Sequence, residues 1–165
     1  MLFRSIASVL YAADRFESKS KIEKWLSQGY VVVLDRYVSS NQIHQGGKIA
    51  ESKKQKEFLR FLDTMEFGVF GLPRPHGIIY LDVPFEISEK LLAKGKKGLS
   101  VNRAVKGKKD LAESNQKYLK DSRTSALKIV KQSNAWHRIA CVPKGEMLSQ
   151  EVVAEEVWNI VKKII

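Results

Sequence analysis

Apolar positions along the chain switch between two periods. Leu2, Ile6, Val9, Leu10 and Ala13 recur at the spacing of one helix face, and Ile22, Trp25 and Leu26 resume it before Gly29, a natural helix stop. The run "YVVVL" that follows is apolar at every position, as a strand buried on both faces of a parallel sheet requires. Phe58, Leu59, Phe61, Leu62 and Met65 return to the helical period, and "GLPRPHG" then breaks the chain before a second strand-like run, "IIYLDV". Pro84 can open the next helix, which continues through Ile87, Leu91 and Leu92. Beyond a polar stretch, Asp110 can cap a long helix carrying Leu111, Tyr118, Leu119, Leu127 and Val130, and "HRIACV" is a third candidate strand. Ser149 precedes a last helix with Val153, Val157, Ile160 and Ile164 on one stripe, Glu151 and Glu155 early and Lys162 and Lys163 late, in keeping with the helix dipole.

Apolar strands separated by helices predict a doubly wound α/β protein, a three-layer α/β/α arrangement around a parallel sheet. At 165 residues and 44% hydrophobic composition, one sizeable core and a single domain are expected. Twenty-nine Lys and Arg against eighteen Asp and Glu leave a formal charge of +11, which favours polyanionic ligands: nucleic acid, an acidic membrane surface or nucleotide phosphates. Cys141 is the only cysteine, so neither a disulfide framework nor a cysteine metal site is available, in keeping with the reducing cytoplasm. His44, His76 and His137 lack metal-ligand spacing, and the opening "MLFRSIASVLYAADR" reads as neither signal peptide nor membrane span.

The chemistry concentrates after the first strand-like run. "VVVLDRYVSSNQIHQGGK" places Asp35, Arg36, Tyr37, Asn41, His44 and Gln45 just beyond an expected carboxyl strand end, where α/β sheets bind ligands. An arginine there can grip a phosphate with its planar fork, and a neighbouring aspartate can hold a magnesium-bound water or orient the arginine. The competing reading is that Asp35 caps the following helix and Arg36 points into solvent.

"LDRYVSSNQIHQGGK" resembles the signature of the thymidylate kinases, P-loop enzymes that phosphorylate dTMP to dTDP with MgATP. "VLYAADRFE" is similar to that family's other nucleoside-binding segment, "GLPRPHGIIYLDVPFE" to its following strand, and "GEMLSQEVVAEEVWNIVKKII" to its closing helix. The likeness is strongest from Val9 to Gly47 and from Leu72 to Glu86. It implies that Arg36 clamps the dTMP phosphate and that Asp35 supports magnesium and the transfer site. It further implies that Tyr11 stacks on thymine, Arg15 bonds its edge, Asn41 and Ser40 face the base, and His44 and Gln45 wall the sugar. An aromatic face suits a planar base, and fixed donors reject analogues that lack the acceptor. Tyr11 also lies on an apolar helical stripe, so core packing is its competing reading.

Lys90, Lys94, Lys96, Lys97, Arg103, Lys106, Lys108 and Lys109 crowd a segment with no acid before Asp110. Composition alone makes this a solvated loop. The resemblance makes about 94–110 a mobile lid over ATP, with Arg103 as the working arginine and glycines that let it move.

One departure from the family pattern is large. The P-loop, G-x-x-x-x-G-K-[ST], is absent: Gly47-Lys48 is followed by Ile49 and has Gln42 in the first glycine's place, and neither Gly95-Lys96 nor Gly107-Lys108 fits better. The family's P-loop belongs to a βαβ unit of roughly 30 or more residues that would precede Leu2. The sequence therefore reads as a P-loop kinase domain lacking its first βαβ segment, with "YVVVL" and "IIYLDV" left beside unpaired edges, and its own turnover is expected to be nil or nearly so. His76, where relatives commonly carry aspartate, is a smaller departure.

Two function classes follow. One is a dTMP kinase using ATP and Mg2+, with dTMP and ATP as partners, possible homodimerisation and no membrane. The other is a non-catalytic nucleotide-binding or basic nucleic-acid-binding protein, suggested by the charge and the missing P-loop. Lysines with few interleaved aromatics disfavour a dedicated nucleic-acid groove.

Overall fold

The computed structural model describes residues 2–98 and 116–165. The described chain is mostly helical, with one small parallel sheet of two strands. It divides into two compact units, Met1–Ile78 with Ile164–Ile165, and Ile79–Lys163.

The first unit opens with α1 (Leu2–Glu17) and α2 (Lys19–Ser27). Gly29 ends α2 as the sequence predicts: its φ of 79° is open to glycine at little cost, and it lets Gly29 N donate to Leu26 O and Tyr30 N to Trp25 O. This double bond satisfies carbonyls the helix would otherwise leave orphaned. α3 (Val38–His44) and α4 (Ser52–Asp63) follow. α4 runs on into a π-helical turn, Thr64–Val69, in which Phe70 N donates to Met65 O. The adjacent residues Met65 and Glu66, three and four positions after Leu62 and so on its face of the helix, are both buried. Ala12, Ile49, Phe58, Leu62 and Met65 form the core, with Phe70 against it. The helical period that predicted α4 is thus the period of the residues it buries.

The expected first strand is corrected. Tyr30 to Leu34 is irregular chain outside the sheet, and Val33 is 83% exposed. A strand is defined by ladder bonds to a neighbouring strand, and no strand among the described residues pairs with this run. Apolar composition supplied the propensity but not the neighbour.

The second unit holds the other two expected strands, β1 (Ile78–Asp82), whose first residue falls at the division, and β2 (Trp136–Ala140). α5 (Phe85–Gly98) and α6 (Gln116–Gln132) lie between them in the chain, the crossover that parallel strands need. Beyond the strand ends, Cys141 N donates to Asp82 O at 3.1 Å. Pro84 sits just ahead of α5, and its carbonyl accepts from Ile87 N and Ser88 N. Ser122, Ser125 and Ala126 of α6, with Trp136 and Ile139 of β2, are buried. α7 (Gln150–Ile164) begins after Ser149, whose Oγ accepts from Val152 N at 3.3 Å, the expected cap. The Asp110 cap lies outside the described residues, as does the expected lid beyond its first five residues, which close α5.

Among the described residues no helix is long and apolar enough to cross a membrane.

Candidate functional site

Glu66 is the centre of the first unit's polar chemistry. Its side chain is fully buried, and three donors converge on it: Arg15 Nε reaches Oε2 at 2.7 Å, Arg15 Nη2 reaches Oε1 at 2.6 Å, and Asn41 Nδ2 reaches Oε1 at 3.1 Å. The fork from Arg15 comes from α1, 51 residues away in sequence. Asn41 Nδ2 also donates to Ser8 O at 3.2 Å. Paired acceptors around Nδ2 fix which end of the amide points where. A buried carboxylate is tolerable here because a bidentate cation and an amide satisfy it.

Two residues expected to read a base, Arg15 and Asn41, are therefore brought together by a third that the sequence reading missed. The missed signal is visible in retrospect: Glu66 follows Leu62 by one helical turn on the apolar side of an amphipathic helix, where an acid is out of place.

Arg36 marks the turn between that irregular run and α3. Its φ is 68°, the left-handed region that a non-glycine side chain enters at a cost, and its side chain is exposed. Asp35 beside it is exposed as well and does not cap α3, whose cap position is Tyr37 and carries no side-chain cap bond. The Tyr37 hydroxyl donates to Pro73 O at 3.1 Å. Burial raises the pKa of that phenol, and the negative Glu66 adds to the shift while Arg15 opposes it.

His44, half-buried on α3, has its pKa lowered below 6.5, first by burial and then by the positive charges of Arg36 and Lys48. The imidazole thus feels the Arg36 guanidinium. Gln45 is buried, and its Oε1 accepts from Lys48 Nζ at 3.1 Å. Ser40 is half-buried on the same helix. Tyr11 is 54% exposed, so it is not a core residue and keeps surface open for contact. Arg103 lies outside the described residues.

A second carboxylate network stands in the second unit at the carboxyl end of β1. Asp82 is 2% exposed and accepts from Arg123 Nε (2.7 Å) and Nη2 (3.2 Å) and from Arg138 Nε (2.9 Å) and Nη2 (2.6 Å). Burial alone would raise its pKa, but the two guanidinium groups outweigh burial and hold it below 3.8. With both arginines committed to one acid, this network ties α6 and β2 to β1.

No cluster of three or more His, Cys, Asp or Glu able to hold a metal occurs among the described residues. Magnesium in phosphoryl transfer needs only one or two protein carboxylates, substrate phosphates supplying the rest, and the exposed Asp35 fits that smaller role.

A parallel strand pair with crossover helices, and a strand-like run ending in an acid and an arginine, are features of an α/β nucleotide-kinase-like protein. Comparison with known proteins narrows the class. The thymidylate kinase family model matches residues 2–152, and the chain belongs to the thymidylate kinase family. It is 34% identical over 91 residues to a probable thymidylate kinase of Pyrobaculum calidifontis, covering 54% of this chain and 42% of that one. Over 85 residues it is 32% identical to a probable thymidylate kinase of Pyrobaculum aerophilum (51% and 39%), and over 82 residues 34% identical to a thymidylate kinase of Mycobacterium tuberculosis (49% and 37%). The chain thus spans about two fifths of the length of the curated relatives it matches.

Proposed function

We propose that the chain binds dTMP and serves its ATP-dependent phosphorylation to dTDP, a step in dTTP synthesis. The observation that carries this reading is the convergence of Arg15 from α1 and Asn41 from α3 on the single buried carboxylate of Glu66. Two side chains with the right donors and acceptors for a pyrimidine edge are held rigidly beside one another, and rigidity is what base selection needs.

In this reading Arg36 grips the dTMP phosphate, its strained backbone fixed by the turn into α3. Tyr11 offers its exposed ring to the base, Ser40 assists Asn41, and His44 with Gln45 forms the wall beside the sugar. The neutral imidazole favoured by the lowered pKa suits a wall next to an arginine, since a second cation there would be repelled. Asp35 would hold magnesium through its waters; the ion, when bound, offsets charge on the phosphates. Arg103 and the lysines around it would arrive with the lid. Catalysis would rest on positioning and charge stabilisation, because the acceptor phosphate needs no strong base. The finer architecture proposed is the three-layer P-loop kinase fold. The cytoplasm and a homodimer are the proposed setting.

The 165 residues contain no G-x-x-x-x-G-K-[ST], so a polypeptide of this sequence is expected to bind dTMP but not to turn it over alone. Calorimetry with dTMP and with an unrelated oligonucleotide tests the reading. Heat with dTMP and none with the oligonucleotide is expected. Salt-dependent oligonucleotide binding without a dTMP response would instead favour the nucleic-acid reading prompted by the +11 charge.

A further inference from the structure

We propose that Glu66 is a specificity-determining positioning residue: its buried carboxylate fixes the place of the Arg15 donors and, together with Ser8 O, makes Asn41 an acceptor toward the nucleobase. The inference rests on the dTMP reading above and adds the residue that gives that site its polarity.

Arg15 spends Nε and one Nη2 hydrogen on Glu66, leaving Nη1 unengaged among the described residues, with the side chain 14% exposed. Whatever meets the open part of that guanidinium meets donors only, because arginine has no acceptor. Asn41 spends both amide hydrogens, one on Glu66 Oε1 and one on Ser8 O. Only its Oδ1 remains to offer. Turning the amide over would set Oδ1 against two acceptors, so the orientation is enforced and not merely preferred.

A donor beside an acceptor is the complement of the thymine imide edge, where C4=O accepts and N3–H donates. Cytosine inverts both groups: its N3 accepts and its exocyclic amine donates. It would place donor against donor and acceptor against acceptor, and a polar site rejects such a mismatch strongly. The guanidinium and carboxylate charges also cancel, leaving the base site neutral while the phosphate charge is left to Arg36. Glu66 does not touch the base. It acts through the two residues that would.

Glu66→Gln keeps the side chain's size but replaces one acceptor with a donor, so the Arg15 fork loses a bond and a turned Asn41 meets one acceptor, Ser8 O, in place of two; the polarity is then less strictly imposed. Calorimetry on the full 165-residue chain would compare dTMP, dCMP, thymidine and N3-methyl-dTMP, with urea unfolding followed by tryptophan fluorescence to verify the fold. Wild type is expected to prefer dTMP over dCMP and over the N3-methyl analogue by at least about tenfold each, the scale of one lost polar complement. In Glu66→Gln the dTMP-to-dCMP preference should fall at least about tenfold, while the dTMP-to-thymidine ratio, which reads the phosphate, stays unchanged. A merely structural role would weaken all four ligands together. A folded Glu66→Gln protein with the wild-type dTMP-to-dCMP ratio overturns the inference and leaves dTMP binding standing. A wild-type chain that binds none of the four overturns both. If the variant does not fold, the N3-methyl comparison on wild type decides, and equal affinity for dTMP and its N3-methyl analogue refutes the imposed polarity.

Discussion

Arg36 combines a guanidinium of proposed function with a backbone conformation that costs stability, and two substitutions separate these. Its φ of 68° lies where a side chain with a Cβ is disfavoured by roughly 1–2 kcal/mol. Arg36→Ala keeps that cost and removes the charge. Arg36→Gly removes both, but glycine loses about 0.5–1 kcal/mol more conformational entropy on folding. The glycine variant should therefore be more stable than the alanine variant by about 0.5–1 kcal/mol, read as a higher urea midpoint at equal slope. For binding, charge-assisted hydrogen bonds are worth about 1.5–3 kcal/mol, and the exposure of Arg36 places it toward the lower end of that range. Both variants should then weaken dTMP by roughly 10- to 50-fold in calorimetry and leave thymidine, which lacks the phosphate, within about twofold. Equal losses for dTMP and thymidine would refute the phosphate clamp. An alanine variant as stable as the glycine variant would refute the strain argument.

Three further outcomes follow from His44 and Asp82. His44 has its pKa depressed below 6.5 by burial and by Arg36 and Lys48, so its contribution to stability is complete above pH 6.5 and is lost as pH falls through its folded-state value. His44→Gln should flatten the pH dependence of urea unfolding in that window, and in Arg36→Ala the His44 ring signals should titrate at a higher pH than in wild type; an unmoved titration would show that the two are not coupled. Asp82→Asn should cost about 2 kcal/mol at pH 7, because it breaks charge-assisted bonds to two arginines that water partly screens. With a folded-state pKa held below 3.8, that stabilisation is present above pH 3.8 and disappears as pH falls through the lower value, so the gap between wild type and variant should close in acid; a gap unchanged by pH would contradict the ion-pair account.

The helical elements were legible because each carries its own period: Phe58, Leu62 and Met65 announce both α4 and the core it buries, and Gly29 and Ser149 announce a helix end and a helix start through local backbone chemistry. The strands of the second unit were legible for the same reason, as short apolar runs between breakers. "YVVVL" has the same composition and is no strand, since no strand among the described residues pairs with it and pairing is not a property of a segment. The residues after it, from Asp35 to Gln45, could be nominated from residue type and spacing, together with the family resemblance. That Arg15 and Asn41 meet, and that they meet on Glu66, was decided only by the tertiary structure, through a fork reaching the buried acid from 51 residues away. Local sequence determines periods, caps and candidate chemistry because those depend on neighbours along the chain. Which carboxylate polarises which arginine depends on neighbours in space.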